Sequence, residues 1–129
     1  MNNSNQIFTD DDVISVYTSD QASEDGILFN VGKSAILKND LCNYITTNLL
    51  LDMDIMKYDA KVGSDVVKVP LALDLIEQAK AIVNREIANK LATDHFYSGM
   101  VRKLNGERIR IFICENETGK FTLMLPSDY

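Results

Sequence analysis

The stretch Met100-Val101-Arg102-Lys103-Leu104-Asn105-Gly106-Glu107-Arg108-Ile109-Arg110-Ile111-Phe112-Ile113-Cys114 decides the fold. Ile109, Ile111 and Ile113 recur at every second position, with Arg108, Arg110 and Phe112 between them. A period of two marks a strand with one buried face, because successive side chains leave a strand on opposite sides. Upstream, 100–104 reads as a partner strand. Asn105-Gly106 is a strong two-residue hairpin signal, since both residue types accept positive φ. Downstream, Glu117-Thr118-Gly119 turns the chain into a third strand from Lys120 to Leu125. Pro126 ends that strand because proline cannot donate to a ladder. The expected result is a C-terminal three-stranded antiparallel meander.

A three-stranded sheet with one apolar face needs a cover. The chain supplies one directly upstream. Ala72, Ile76, Ala79, Val83, Ile87 and Leu91 form a helical stripe, widened by Leu75 and Ile82. Glu77, Lys80, Arg85, Glu86 and Lys90 fall mostly on the opposite side. Pro70 suits a first helical position. The spacing predicts a long helix from about Pro70 to Thr93. A second helix is expected from about Asn39 to Leu51. Leu41, Ile45 and Leu49 repeat every four residues with Tyr44 beside them, and Asn39 or Asp40 can cap it. The following run, Leu49-Leu50-Leu51 through Met56, is apolar on more than one face and predicts deep core or a contact surface. Residues 57–69 read as a loop around Gly63, with a short extended piece at 66–69. The fold class is α+β: a small antiparallel sheet covered by one long helix and a second, shorter helix.

At the front, Val13, Ile14, Val16 and Tyr17 suit a short strand. Thr18 then reads as a helix N-cap, with Gln21 completing a capping box and Asp20 facing the positive end of the dipole. Gly26 stands where a left-handed residue would stop that helix. Ile27 to Val31 reads as a strand that joins the sheet or packs beside it. The front string Glu24-Asp25-Gly26-Ile27-Leu28 and the end string Met124-Leu125-Pro126-Ser127-Asp128 together resemble a family of small uncharacterised proteins encoded on phages, plasmids and other mobile elements. The resemblance rests on the order and spacing of both strings. It implies a fold and an accessory role in such an element, and no particular activity.

The chain of 129 residues predicts one domain at 13–129 behind a polar, acidic arm at 1–12. No apolar run approaches a bilayer-spanning length. The opening Met1-Asn2-Asn3-Ser4-Asn5-Gln6 lacks the basic start and apolar centre of a signal peptide, so a cytoplasmic location is expected. Cys42 and Cys114 are the two cysteines and read as buried free thiols. The net charge is −6, and the whole excess lies in residues 1–32, which hold six acids and no Lys or Arg. That balance argues against general affinity for nucleic acid and permits attraction to a basic partner. The plain alternative is a solvated terminus.

Catalytic patterns are weak. Gly32-Lys33-Ser34 lacks the earlier glycine of a phosphate-binding loop, because position 27 is isoleucine. A calcium loop counted from Asp20 fails at Ala22 and at the displaced Gly26. His95 is the lone histidine, with Asp94 beside it, and no second histidine or paired-cysteine motif suggests zinc. No cofactor is expected. The densest basic feature is Arg102, Lys103, Arg108 and Arg110 around the hairpin turn, with Phe112 on the same face as the last two. Such a face is commonly solvated and discourages edge-to-edge pairing. The alternative is contact with an anion or nucleic acid.

These residues favour a non-enzymatic binding or accessory protein that contacts a host or mobile-element macromolecule, with a protein partner expected over nucleic acid or membrane. Partner contacts would fall on Asp10, Asp11, Asp12, Arg102, Lys103, Arg108 and Arg110. A second reading is a pocket protein or unfamiliar enzyme using Glu24, Asp25, His95, Arg108 and Arg110. A third is self-assembly through Leu49 to Met56.

Overall fold

A computed structural model describes residues 18–61, 63–89 and 96–129 of the protein. Asp10-Asp11-Asp12, the strand expected at 13–17, and Asp94-His95 lie outside the described residues. The expected meander forms: β5 (Phe96–Arg102), β6 (Arg108–Glu115) and β7 (Phe121–Met124) are consecutive antiparallel neighbours. Two earlier strands extend it. β1 (Leu28–Asn30) pairs antiparallel with β2 (Cys42–Thr46), and β2 runs parallel to β7. The sheet is therefore mixed and five-stranded, in the order β1-β2-β7-β6-β5. It is neither three-stranded nor purely antiparallel.

The largest departure from the sequence reading lies at 39–51, where a strand replaces most of the expected helix. Asn39 Oδ1 accepts the N–H groups of Leu41 at 2.8 Å and Cys42 at 2.9 Å. The same bonds would suit a helix cap, but the chain leaves this turn extended. Cys42, Tyr44, Ile45 and Thr46 are all buried, because β2 lies inside the sheet with cover on both faces. A strand buried on both faces loses the alternation that identifies strands. An irregularity between Cys42 and Tyr44 disrupts the period further. Only α2 (Thr47–Asp52) is helical, and Thr46 caps it by accepting the Leu49 N–H at 3.3 Å.

α2 leads into a hairpin of β3 (Met56–Asp59) and β4 (Ser64–Val67), where a loop with a short extended piece at 66–69 was expected; β4 overlaps that piece, and β3 replaces loop. Leu49, Leu50, Met53, Ile55 and Met56 are buried in the main core, so most of this run is core, while Leu51 is 51% exposed. α2 ends in a paired turn: Ile55 N–H donates to Leu50 O at 2.9 Å and Asp54 N–H to Leu51 O at 3.1 Å. This places Asp54 at φ +58°. An L-residue there carries a steric cost that glycine avoids. Asp54→Gly should raise stability by about 0.5–1 kcal/mol, read as a higher urea midpoint at unchanged slope.

α3 (Val69–Ala88) is the long helix, with Pro70 in its first turn and Asn89 as its C-cap. Its Leu75, Ile76, Ala79 and Ile82 pack in one cluster with Tyr97, Val101, Ile111, Ile113, Leu123 and Ile45 of the sheet. Burying a large aliphatic side chain contributes about 1.5–3 kcal/mol, so this layer dominates stability. The two layers meet tightly at Gly99, where a Cβ would lie 2.8 Å from Ile82 side-chain atoms. Gln78 reaches the outer edge of β5. Its Oε1 accepts the Arg102 N–H at 2.8 Å and its Nε2 donates to Arg102 O at 3.2 Å.

α1 (Ser19–Glu24) lies against the other face. Thr18 and Gln21 form the expected capping box, and Gly26 takes φ +79° at the helix end. Ile27 N–H then donates to Ala22 O at 2.9 Å and the chain enters β1. Glu117, in the turn between β6 and β7, holds the helix start. Its carboxylate accepts the Ser19 N–H at 2.8 Å and the Ser19 hydroxyl at 2.9 Å. Burial alone would raise the Glu117 pKa, but these bonds bring it below the ordinary glutamate value.

Candidate functional site

The two faces of the sheet are unlike. Tyr97, Gly99, Val101, Ile111, Ile113 and Leu123 point toward α3 and are buried. The alternate residues point away from it. On that second face, α1 covers the side formed by β1, β2 and β7. A cleft of about 390 Å³ there is lined by Thr18, Ala22, Thr46, Cys114, Thr122 and Met124, among others. The side formed by β5 and β6 carries exposed Met100, Arg102, Arg108 and Arg110.

Register fixes how these residues meet. Arg102 stands directly opposite Arg108, Met100 opposite Arg110, and Ser98 opposite Phe112. The turn is longer than the two residues expected. Gly106 N–H donates to Lys103 O at 3.0 Å and Lys103 N–H to Glu107 O at 2.7 Å, with Gly106 at φ +93°. A two-residue turn at 105–106 would shift the pairing by one and set Arg102 against Ile109, mixing the faces. The longer loop keeps Arg with Arg.

Arg110 Nη1 donates to Ser98 Oγ at 2.8 Å across the strands. Among the described residues, no carboxylate forms an ion pair with Arg102, Arg108 or Arg110. Lys103 behaves differently. Its Nζ lies 3.3 Å from Glu107 and 3.8 Å from Asp52, and its side chain is largely buried. The Asn105 amide and then Lys103 hold the Glu107 carboxyl below its usual range. Lys103 is thus neutralised and separate from the three arginines.

Beside the arginines lies an aromatic cluster. Phe96 and Phe112 meet edge to face with centroids 4.9 Å apart, and Tyr129 meets each at 5.6 Å. Asp128 anchors the approach of Tyr129. Its carboxylate accepts from the Thr46 hydroxyl at 2.7 Å, the Asn48 amide at 2.8 Å and the Leu125 N–H at 3.1 Å. Tyr129 is 79% exposed. The sequence placed Arg108, Arg110 and Phe112 together by alternation. It missed Phe96, which depends on register, and Tyr129, which depends on the Pro126–Asp128 turn.

The remaining candidates scatter. Glu24 is the last residue of α1 and Asp25 its C-cap, whereas Arg108 and Arg110 lie on β6. Gly32-Lys33-Ser34 closes a 3₁₀ turn in which Ser34 N–H is already bonded to Val31 O at 3.1 Å. Burial pushes the thiols of Cys42 and Cys114 up to about 11, so both are protonated at neutral pH and unsuited to nucleophilic attack. They are free cysteines. Among the described residues, no cluster of three or more His, Cys, Asp or Glu is placed to hold a metal ion. No described helix is long and apolar enough to cross a membrane.

The fold and this face define an α+β protein with one helix-covered face and one partly open, arginine-bearing face. Comparisons with family models, curated proteins and solved structures find no match to the chain.

Proposed function

We propose that this is a binding protein whose β5–β6 face docks an anionic surface of a macromolecule. The observation that carries the reading is the trio Arg102, Arg108 and Arg110. They lie exposed on one face, without carboxylate partners among the described residues. Like charges directly opposite one another cost stability. An Arg102–Arg108 pair is therefore a local conflict of the kind that sheets retain at functional sites. Guanidinium groups suit planar or tetrahedral oxyanions through paired donors. The resemblance to mobile-element proteins fits an accessory role of this sort in a phage or plasmid. Residues Asp10 to Asp12 remain candidates for a second, acidic contact.

Retention on immobilised heparin at low salt tests the face. A chain of net charge −6 has no general reason to be retained. The native protein should be held, and Arg108→Glu/Arg110→Glu should flow through while keeping its circular dichroism spectrum. Equal elution of the two proteins would reject this face as the docking surface.

A further inference from the structure

Resting on that reading, we infer that the anionic partner is a single strand of nucleic acid, its phosphates on the arginines and its bases against the aromatic cluster. Charge complementarity comes from the guanidiniums of Arg102, Arg108 and Arg110, which have no carboxylate partner among the described residues. The choice among anions comes from what stands beside them. Phe112 follows Arg110 by two residues on the same face of β6, so their backbone positions sit about 7 Å apart along the strand. Tyr129 adds a second, exposed ring edge-on to Phe112. An acidic peptide would use the arginines and leave these rings idle. A duplex would offer phosphates while keeping its bases stacked out of reach. A single strand uses both features, because every base has a π-face that an aromatic side chain can meet. The excess negative charge of the chain lies in residues 1–32. Residues 33–129 hold equal numbers of acidic and basic residues.

The face predicts modest, salt-sensitive and sequence-tolerant binding. Neutralising three phosphates of a single strand gives a slope of log K against log salt of about −2. Fluorescence anisotropy of the full chain with a labelled oligothymidylate of about ten nucleotides, with the matching duplex and with polyglutamate reads every part of this. The single strand should bind best. Arg108→Gln should reduce the slope by about 0.7. Tyr129→Ala, at an exposed position, should weaken the single strand about five-fold or more and leave heparin retention unchanged. Phe112→Leu, which keeps an apolar group in the sheet, should act in the same direction. Equal affinity for duplex and single strand, or preference for polyglutamate unaffected by Tyr129→Ala, would overturn the inference while leaving the anionic-face reading in place. Loss of neither oligonucleotide nor heparin binding in Arg108→Glu/Arg110→Glu would remove both.

Discussion

Gly99→Ala should destabilise the protein by about 1–3 kcal/mol, although it adds a single methyl group. The new Cβ would lie 2.8 Å from both Cδ1 and Cγ1 of Ile82 and 2.9 Å from its Cγ2. Those atoms belong to a core side chain with neighbours on every side, since Ile82 is 2% exposed. Relief requires either that α3 lift from β5 or that Ile82 leave its rotamer, and each sacrifices packing. The effect should be specific to that pair. In Gly99→Ala/Ile82→Ala, the cavity left by isoleucine receives the methyl group. The double variant should then be more stable than the sum of the two single losses by a measurable coupling. Urea unfolding of the four proteins in the cycle reads this directly. Strict additivity would mean that the contact at Gly99 is not what limits the approach of α3.

Leu123→Ala should cost more, about 2–5 kcal/mol. Leu123 is fully buried on β7. Its register partners are Ile45 on one side and Ile113 on the other, both also fully buried. Truncation leaves a cavity between strands locked on both sides, with little freedom to collapse. Domains of ordinary size are stable by only about 5–15 kcal/mol, so this variant should lose a large share of its stability and unfold at a clearly lower urea midpoint. Leu104→Ala is the matched control. Leu104 is 78% exposed in the β5–β6 turn, and its truncation should change stability by no more than about 0.5 kcal/mol. Similar losses in the two variants would place the core elsewhere.

What the sequence could reveal followed from periodicity. β6 buries one face and alternates, and α3 buries one stripe and repeats every three to four residues, so both were legible. β2 was not. Leu41, Ile45 and Leu49 stand four apart, which suits one side of a helix, yet they lie before, within and after a strand buried on both faces. Position inside a sheet is a long-range property, and no local period encodes it. The β3–β4 hairpin escaped because Met56-Lys57-Tyr58-Asp59 is short and mostly polar. The arginine face was half legible. Alternation set Arg108, Arg110 and Phe112 side by side, whereas Arg102 facing Arg108 required the extra turn residue that Gly106 accommodates.

The parallel union of β2 with β7 also bears on the order in which the molecule can be made. Ile45 meets Leu123 only after α2, the β3–β4 hairpin, α3, β5 and β6 have all been laid down between them. A chain emerging from the ribosome can close its β5–β6 hairpin as soon as Glu115 is free, since that contact is local. It cannot give β2 its inner neighbour until Phe121–Met124 has cleared the exit tunnel. Until then β1 and β2 are stranded from the rest of the sheet, with the apolar Tyr44-Ile45 pair uncovered on one flank. Closure of the sheet therefore waits on β7, and a chain truncated just before Phe121 would leave the β1–β2 pair with no strand to join it to β6 and β5.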